Sequence, residues 1–122
     1  MKEENQDMRE RTTEFALRII KMFSSLPKTT VAQVMGKQVL RSGTSVGANY
    51  REAHRARSKA EFISCTGISL REVEETAYWL ELLARSETVA ENLLAPLRKE
   101  CDELTAILIT IIKNAKAGRD RE

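Results

Sequence analysis

The sequence predicts an all-α protein, an antiparallel up-down-up-down four-helix bundle. Three observations carry that expectation. Apolar residues recur every three or four positions over four long stretches, the period of an amphipathic helix. The stretches are separated by links short enough to return each helix beside the one before it. No run of period-two alternation is long enough to compete as a strand. The 122 residues, 42% apolar and 31% charged, suit one domain with one core.

The first eleven residues read as a flexible polar lead, residues 12–117 as the bundle and 118–122 as a tail. Thr12 or Thr13 is placed to cap helix one, with Glu14 in its first turn. Phe15, Ile19 and Phe23 form its stripe, widened by Ala16, Ile20 and Leu26. Ser24 to Pro27 ends it, because proline disfavours helix in the residue before it.

Helix two is expected from Thr29 or Thr30 to about Ala56. At about 100° per residue, three tracks separate around its axis. Val31, Met35, Val39, Ser42, Val46, Tyr50 and Ala53 form the core side. Lys37, Arg41, Arg51 and Arg55 share the far side. Gly36, Gly43 and Gly47 form a third line. An interior glycine costs roughly 1 kcal/mol against alanine, so three on one line imply close approach of a neighbouring backbone. The alternative is a helix interrupted near Gly43.

Ser58 followed by Glu61 is a capping box and starts helix three. Its seam is Phe62, Thr66, Ser69, Val73, Thr76, Leu80 and Leu83, polar at first and apolar later. Ile68 and Trp79 flank that seam, and Tyr78 and Leu82 lie behind it. One neighbour cannot cover so wide an apolar surface, which implies a second contact, with another subunit. Ser86 is the expected cap of the next link. A short turn over Thr88–Leu94 and a helix from Pro96 to about Ala115 follow, since proline is tolerated at a first helical position but not within a helix. The seam there is Leu97, Cys101, Leu104, Leu108, Ile111 and Ala115, and Gly118 is the stop signal.

Chemistry-bearing residues are few. One histidine and two cysteines cannot make a four-ligand His/Cys zinc site. Cys65 and Cys101 sit in helical patterns and read as reduced, packed thiols. His54, the sole histidine, is too far along its helix from Ser45 to serve a Ser-His pair, and reads as a solvated or interface residue. Ser42–Gly47 lacks the frame of a phosphate loop. Glu72, Glu74 and Glu75 have no Glu-x-x-His companion for a di-metal bundle; Glu72, nearest the seam, is expected in a polar cluster. No cofactor, metal or small-molecule substrate is expected, and no enzymatic activity. No segment approaches the roughly 18 apolar residues of a membrane span, and the N-terminus is too polar for a signal peptide, so a cytoplasmic protein is expected. The net charge is only +2. The stripe Lys37, Arg41, Arg51 and Arg55, with Arg57 and Lys59 beyond it, is the candidate surface for RNA or DNA. It reads equally as a solvated face or one that pairs with the acidic third helix of a neighbouring subunit.

Arg41-Ser-Gly-Thr-Ser-Val-Gly-Ala-Asn-Tyr-Arg-Glu-Ala53 resembles the second-helix signature of the four-helix-bundle proteins encoded in intervening sequences of bacterial 23S ribosomal RNA genes. Ser58-Lys-Ala-Glu-Phe62 and Thr76-Ala-Tyr-Trp-Leu-Glu-Leu-Leu83 resemble that family's third helix. Members also carry the name S23 ribosomal protein. The resemblance implies a bundle that assembles as a ring, usually a homopentamer, with no established enzymatic activity. It also implies kinship with the accessory variability determinants of diversity-generating retroelements, which are basic pentamers acting with nucleic acid. The low net charge departs from that pattern. On the matching residues, Ser45, Asn49 and Glu52, with Arg41, are expected to form a polar interface network; Tyr78, Trp79 and Leu82 are the apolar part of the expected oligomer interface. The function expected is that of a homo-oligomeric, nucleic-acid-binding accessory protein. The alternative is a protein-interaction scaffold with no nucleic-acid role.

Overall fold

The computed structural model describes residues 2–118. Four helices account for nearly all of them: α1 (Lys2–Ser24), α2 (Thr30–His54), α3 (Lys59–Arg85) and α4 (Glu91–Lys116). There is no strand among the described residues. Consecutive helices pack side by side, and α1 touches α4 only slightly, so the four surround one core, with no close backbone approach between diagonal helices among the described residues. Paired residues run in opposite order along neighbouring helices. Gly36 faces Phe23, Gly43 faces Ile19 and Gly47 faces Thr12 between α1 and α2. Ser42 meets Thr76 and Val46 meets Ser69 between α2 and α3.

Helix α1 starts much earlier than the sequence suggested. It is helical from Lys2, and Met8 is buried in the core. Thr12 is therefore an interior residue, not a cap. Its buried hydroxyl donates to the Met8 carbonyl at 2.8 Å, as threonines inside helices do. The polar lead hid one buried turn, because a single Met among charged residues gives little periodic signal. Ile20, assigned to the stripe, is 44% exposed.

Helix α2 is one unbroken rod across Gly43. The Thr29 hydroxyl caps it by accepting from Ala32 N. The glycine track faces α1, as its alignment suggested, but what approaches is mostly side chain. A Cβ on Gly43 would stand 2.9 Å from Ile19 Cγ1, and one on Gly47 would stand 3.1 Å from Thr12 Oγ1. On the core side Val39, Ser42, Val46, Tyr50 and Ala53 are fully buried and Met35 is half-buried. Val31 is a correction: it lies in the first turn, beyond the reach of the core, and is 55% exposed.

Every seam residue assigned to α3, from Phe62 to Leu83, is buried. Its capping box forms, with Ser58 Oγ accepting from Glu61 N at 3.1 Å. The returning Glu61 carboxylate accepts from Arg57 N at 2.6 Å, one residue earlier than in the standard box. At the other end, Thr88 N donates to Leu83 O and Glu87 N to Ala84 O. This is a Schellman motif, with Glu87 at φ 60° in the left-handed position that glycine usually takes.

Helix α4 corrects the reading of Pro96. The helix begins at Glu91 and runs through the proline. Leu94, Leu97, Cys101 and Leu104 make one continuous buried stripe, so helix on both sides of Pro96 buries apolar surface. The missing N–H would have bonded the Asn92 carbonyl; Asn92, Ala95 and Pro96 are all exposed, where water can take that carbonyl. Gly118, at φ 76°, closes the helix, its N–H donating to Ala115 O. The remainder of the expected tail, Arg119–Glu122, lies outside the described residues.

Candidate nucleic-acid and oligomer interfaces

The cationic side of α2 faces outward. Lys37, Arg41, Arg51 and Arg55 are all exposed. Their partners differ. Arg41 donates to Glu75 and, at 3.4 Å, to Glu72, both on α3. Glu75 also accepts from the Trp79 indole N–H at 3.1 Å. The Arg41 hydrogen bond, followed by that of Trp79, holds the Glu75 carboxyl below the usual carboxylate range, and the Arg41 guanidinium is shifted upward in turn. Arg51 donates to the Thr13 hydroxyl at 3.0 Å. Lys37 and Arg55 make no ion pair among the described residues. The acidic helix that Arg41 pairs with thus belongs to its own chain.

Exposed cations concentrate where α2 turns into α3. Arg51, Arg55, Arg57 and Lys59 fall within nine residues that contain a single carboxylate, Glu52, and all are exposed. His54 at this corner is half-buried, its ring edge-on to Tyr50 with centroids 5.1 Å apart.

Of the polar residues assigned to an interface, Ser45 and Asn49 hydrogen-bond along their own helix. Ser45 Oγ donates to Arg41 O at 2.7 Å, and Asn49 Nδ2 donates to Ser45 O at 2.9 Å. Glu52 points to solvent. A polar cluster within the chain lies one step inward. Thr76 Oγ1 donates to Ser42 Oγ at 2.8 Å, and Ser69 Oγ donates to Val46 O at 2.7 Å, both fully buried. Sequence reasoning placed these hydroxyls on the seams without pairing them across α2 and α3. The signal was there, since small polar residues on two facing seams have only each other and the backbone as partners.

On the outer side of α3, Tyr78 is 54% exposed and edge-on to Trp79, with centroids 5.4 Å apart. Trp79 and Leu82 are half-buried. Tyr78 shares a small pocket with Arg98 and Asp102 of α4, and on α2 Val31 and Val34 are also more than half exposed. Neither valine was assigned to an interface, because the first counted as core.

Both cysteines are free. Burial pushes the Cys101 thiol up to about 12, which leaves it protonated and inert as a nucleophile at neutral pH. Among the described residues no group of three His, Cys, Asp or Glu side chains could hold a metal ion. No helix there is long and apolar enough to cross a membrane.

Comparison with known proteins narrows the identity. No protein with a curated description matches. A crystal structure from Bacteroides thetaiotaomicron, described as a protein with unknown function from the S23 ribosomal protein family, is 42% identical. The match covers 90% of this chain and 98% of that one, with a TM-score of 0.85. The family model of the 23S rRNA-intervening sequence protein matches residues 4–110. With the four helices in the same arrangement over nearly the whole domain, the chain belongs to the 23S rRNA-intervening sequence protein family.

Proposed function

We propose that the protein is a non-enzymatic homo-oligomer, a ring of up-down-up-down bundles, that binds structured RNA or DNA through the α2–α3 corner. The observation that carries the nucleic-acid reading is the exposed group Arg51, Arg55, Arg57 and Lys59, none of whose side chains makes an ion pair among the described residues. Lys37 extends it along α2, whereas Arg41 is already neutralised by Glu72 and Glu75. One chain offers only a few phosphate contacts, too few for tight binding. Symmetry multiplies them, and simultaneous contacts raise affinity without any new chemistry. The exposed apolar residues Val31, Val34 and Tyr78, with half-buried Leu82, support self-association, and a pentamer is the expected size from the family resemblance. Such a protein acts on RNA or DNA as a cytoplasmic accessory factor.

The test is a gel shift with a structured RNA at low salt, paired with mass by light scattering. Binding is expected to fall steeply between about 50 and 200 mM salt, as counterion release requires. The triple variant Arg55→Ala, Arg57→Ala, Lys59→Ala should bind about tenfold more weakly or worse, while Arg41→Ala should bind almost normally. A wild-type protein that shifts neither RNA nor DNA at micromolar concentration overturns the nucleic-acid reading and leaves the interaction scaffold. A monomeric mass overturns the ring.

A further inference from the structure

The helix pair that meets least leaves a groove. Where the end of α1 passes the start of α4, a cleft of about 600 Å³ lies beneath the α3–α4 link. Its apolar wall includes Met22, Leu26, Val89, Leu94 and Leu97. Leu93 also lines it and is 68% exposed, so a large apolar side chain stands at its mouth in water. Arg18 and Lys21, three residues apart on α1, supply the charge, and no carboxylate lines the cleft. Neither cation has an ion pair among the described residues.

We propose that this cleft binds a single-chain fatty-acyl carboxylate, with its tail along Leu26, Leu94 and Leu97 and its head group on Arg18 and Lys21. The size is that of a small-ligand site, mostly apolar with a few convergent polar groups. The sign of the charge selects the ligand. Two unpaired cations beside an apolar wall favour an anionic head, and an arginine fork suits a carboxylate. The wall is held in place, because Thr88 N and Val89 N both donate to Leu83 O and pin the link that forms one side. Nothing in this proposal depends on the basic corner of α2, which lies at the opposite end of the bundle.

Dodecanoate, titrated below its micellar concentration into the full chain and followed by calorimetry and by amide NMR shifts, tests the idea. One site per chain is expected, with shifts centred on Leu93–Leu97. The Arg18→Gln, Lys21→Gln variant should lose about tenfold in affinity, and Ala90→Trp should obstruct the cleft. All three side chains are exposed, so the fold should survive. Dodecyltrimethylammonium, with the same tail and opposite charge, should bind far more weakly. Equal binding of the two amphiphiles, unchanged affinity in the charge variant, or no saturable site would each overturn the proposal. Exclusion of dodecanoate because a second copy covers the cleft in the oligomer counts as the last of these.

Discussion

Where α2 meets α3, small side chains bring the backbones close enough for Ser69 to reach the Val46 carbonyl at 2.7 Å. Where α1 meets α4, contact is slight, and long side chains span the distance instead. Arg11 reaches Glu100 at 2.7 Å and Glu103 at 2.6 Å. The first seam pairs Thr76 with Ser42 and Ser69 with the Val46 carbonyl inside the core, while the buried Thr66 hydroxyl has no partner among the described residues. The second is closed at one level by ion pairs and open at another as the apolar cleft. Closure in this bundle thus follows side-chain size at the seam, and its chemistry follows closure. Tight seams hold hydroxyl pairs, and loose seams leave room for charge and ligand.

The largest effect should come from forcing the tight seam apart. Ser69→Leu adds volume where there is none and deletes the bond to Val46 O. It should destabilise the protein by about 2–4 kcal/mol in urea unfolding. A cost under half a kcal/mol would mean the seam is not closed. At the loose seam the largest available change is a gain. Glu87→Gly relieves a left-handed non-glycine residue in the link above the cleft and should stabilise by about 1 kcal/mol, seen as a raised melting temperature. The ion pairs are worth less. Arg11 is about one third exposed, so a double-mutant cycle with Glu100 should give under about 1 kcal/mol, falling further in high salt.

The smallest effect at neutral pH concerns Cys101, which is 1% exposed although it follows Glu100 directly. Its folded pKa of about 12 lies above the unfolded value of 9.0. Its contribution is therefore intact below pH 9 and is lost as pH rises from about 9 towards 12, because only the unfolded chain then releases the proton. Cys101→Ala should flatten stability over that alkaline range. Thiol labelling of the native protein should modify half-buried Cys65 first and Cys101 only on unfolding.

The legible part of the fold was whatever repeats. The seams of α3 and α4, the unbroken α2 and the Ser58 cap follow from periodicity and local hydrogen bonding, and appear as expected, with only the returning Glu61 bond shifted to Arg57 N. The misread positions are those where one residue outweighed a pattern. Met8 was lost among charges, Pro96 was treated as a boundary, and Val31 and Ile20 were assigned to the core from angle alone. A wheel gives direction around one helix and says nothing about where its neighbour ends.

The site divides in the same way. The cationic side of α2 and the apolar side of α3 could be located from spacing, since each is a property of one helix. Which cations stay uncompensated could not. Arg41 and Arg55 have the same charge and nearly the same direction on α2, yet only Arg41 stands level with Glu72 and Glu75 on α3. The sequence alone determined four amphipathic helices, their order and the sign of each face, because these depend on neighbours within a turn or two. The tertiary structure alone decided which charges cancel, which hydroxyls pair and which seam stays open, because those depend on register between helices far apart in the chain.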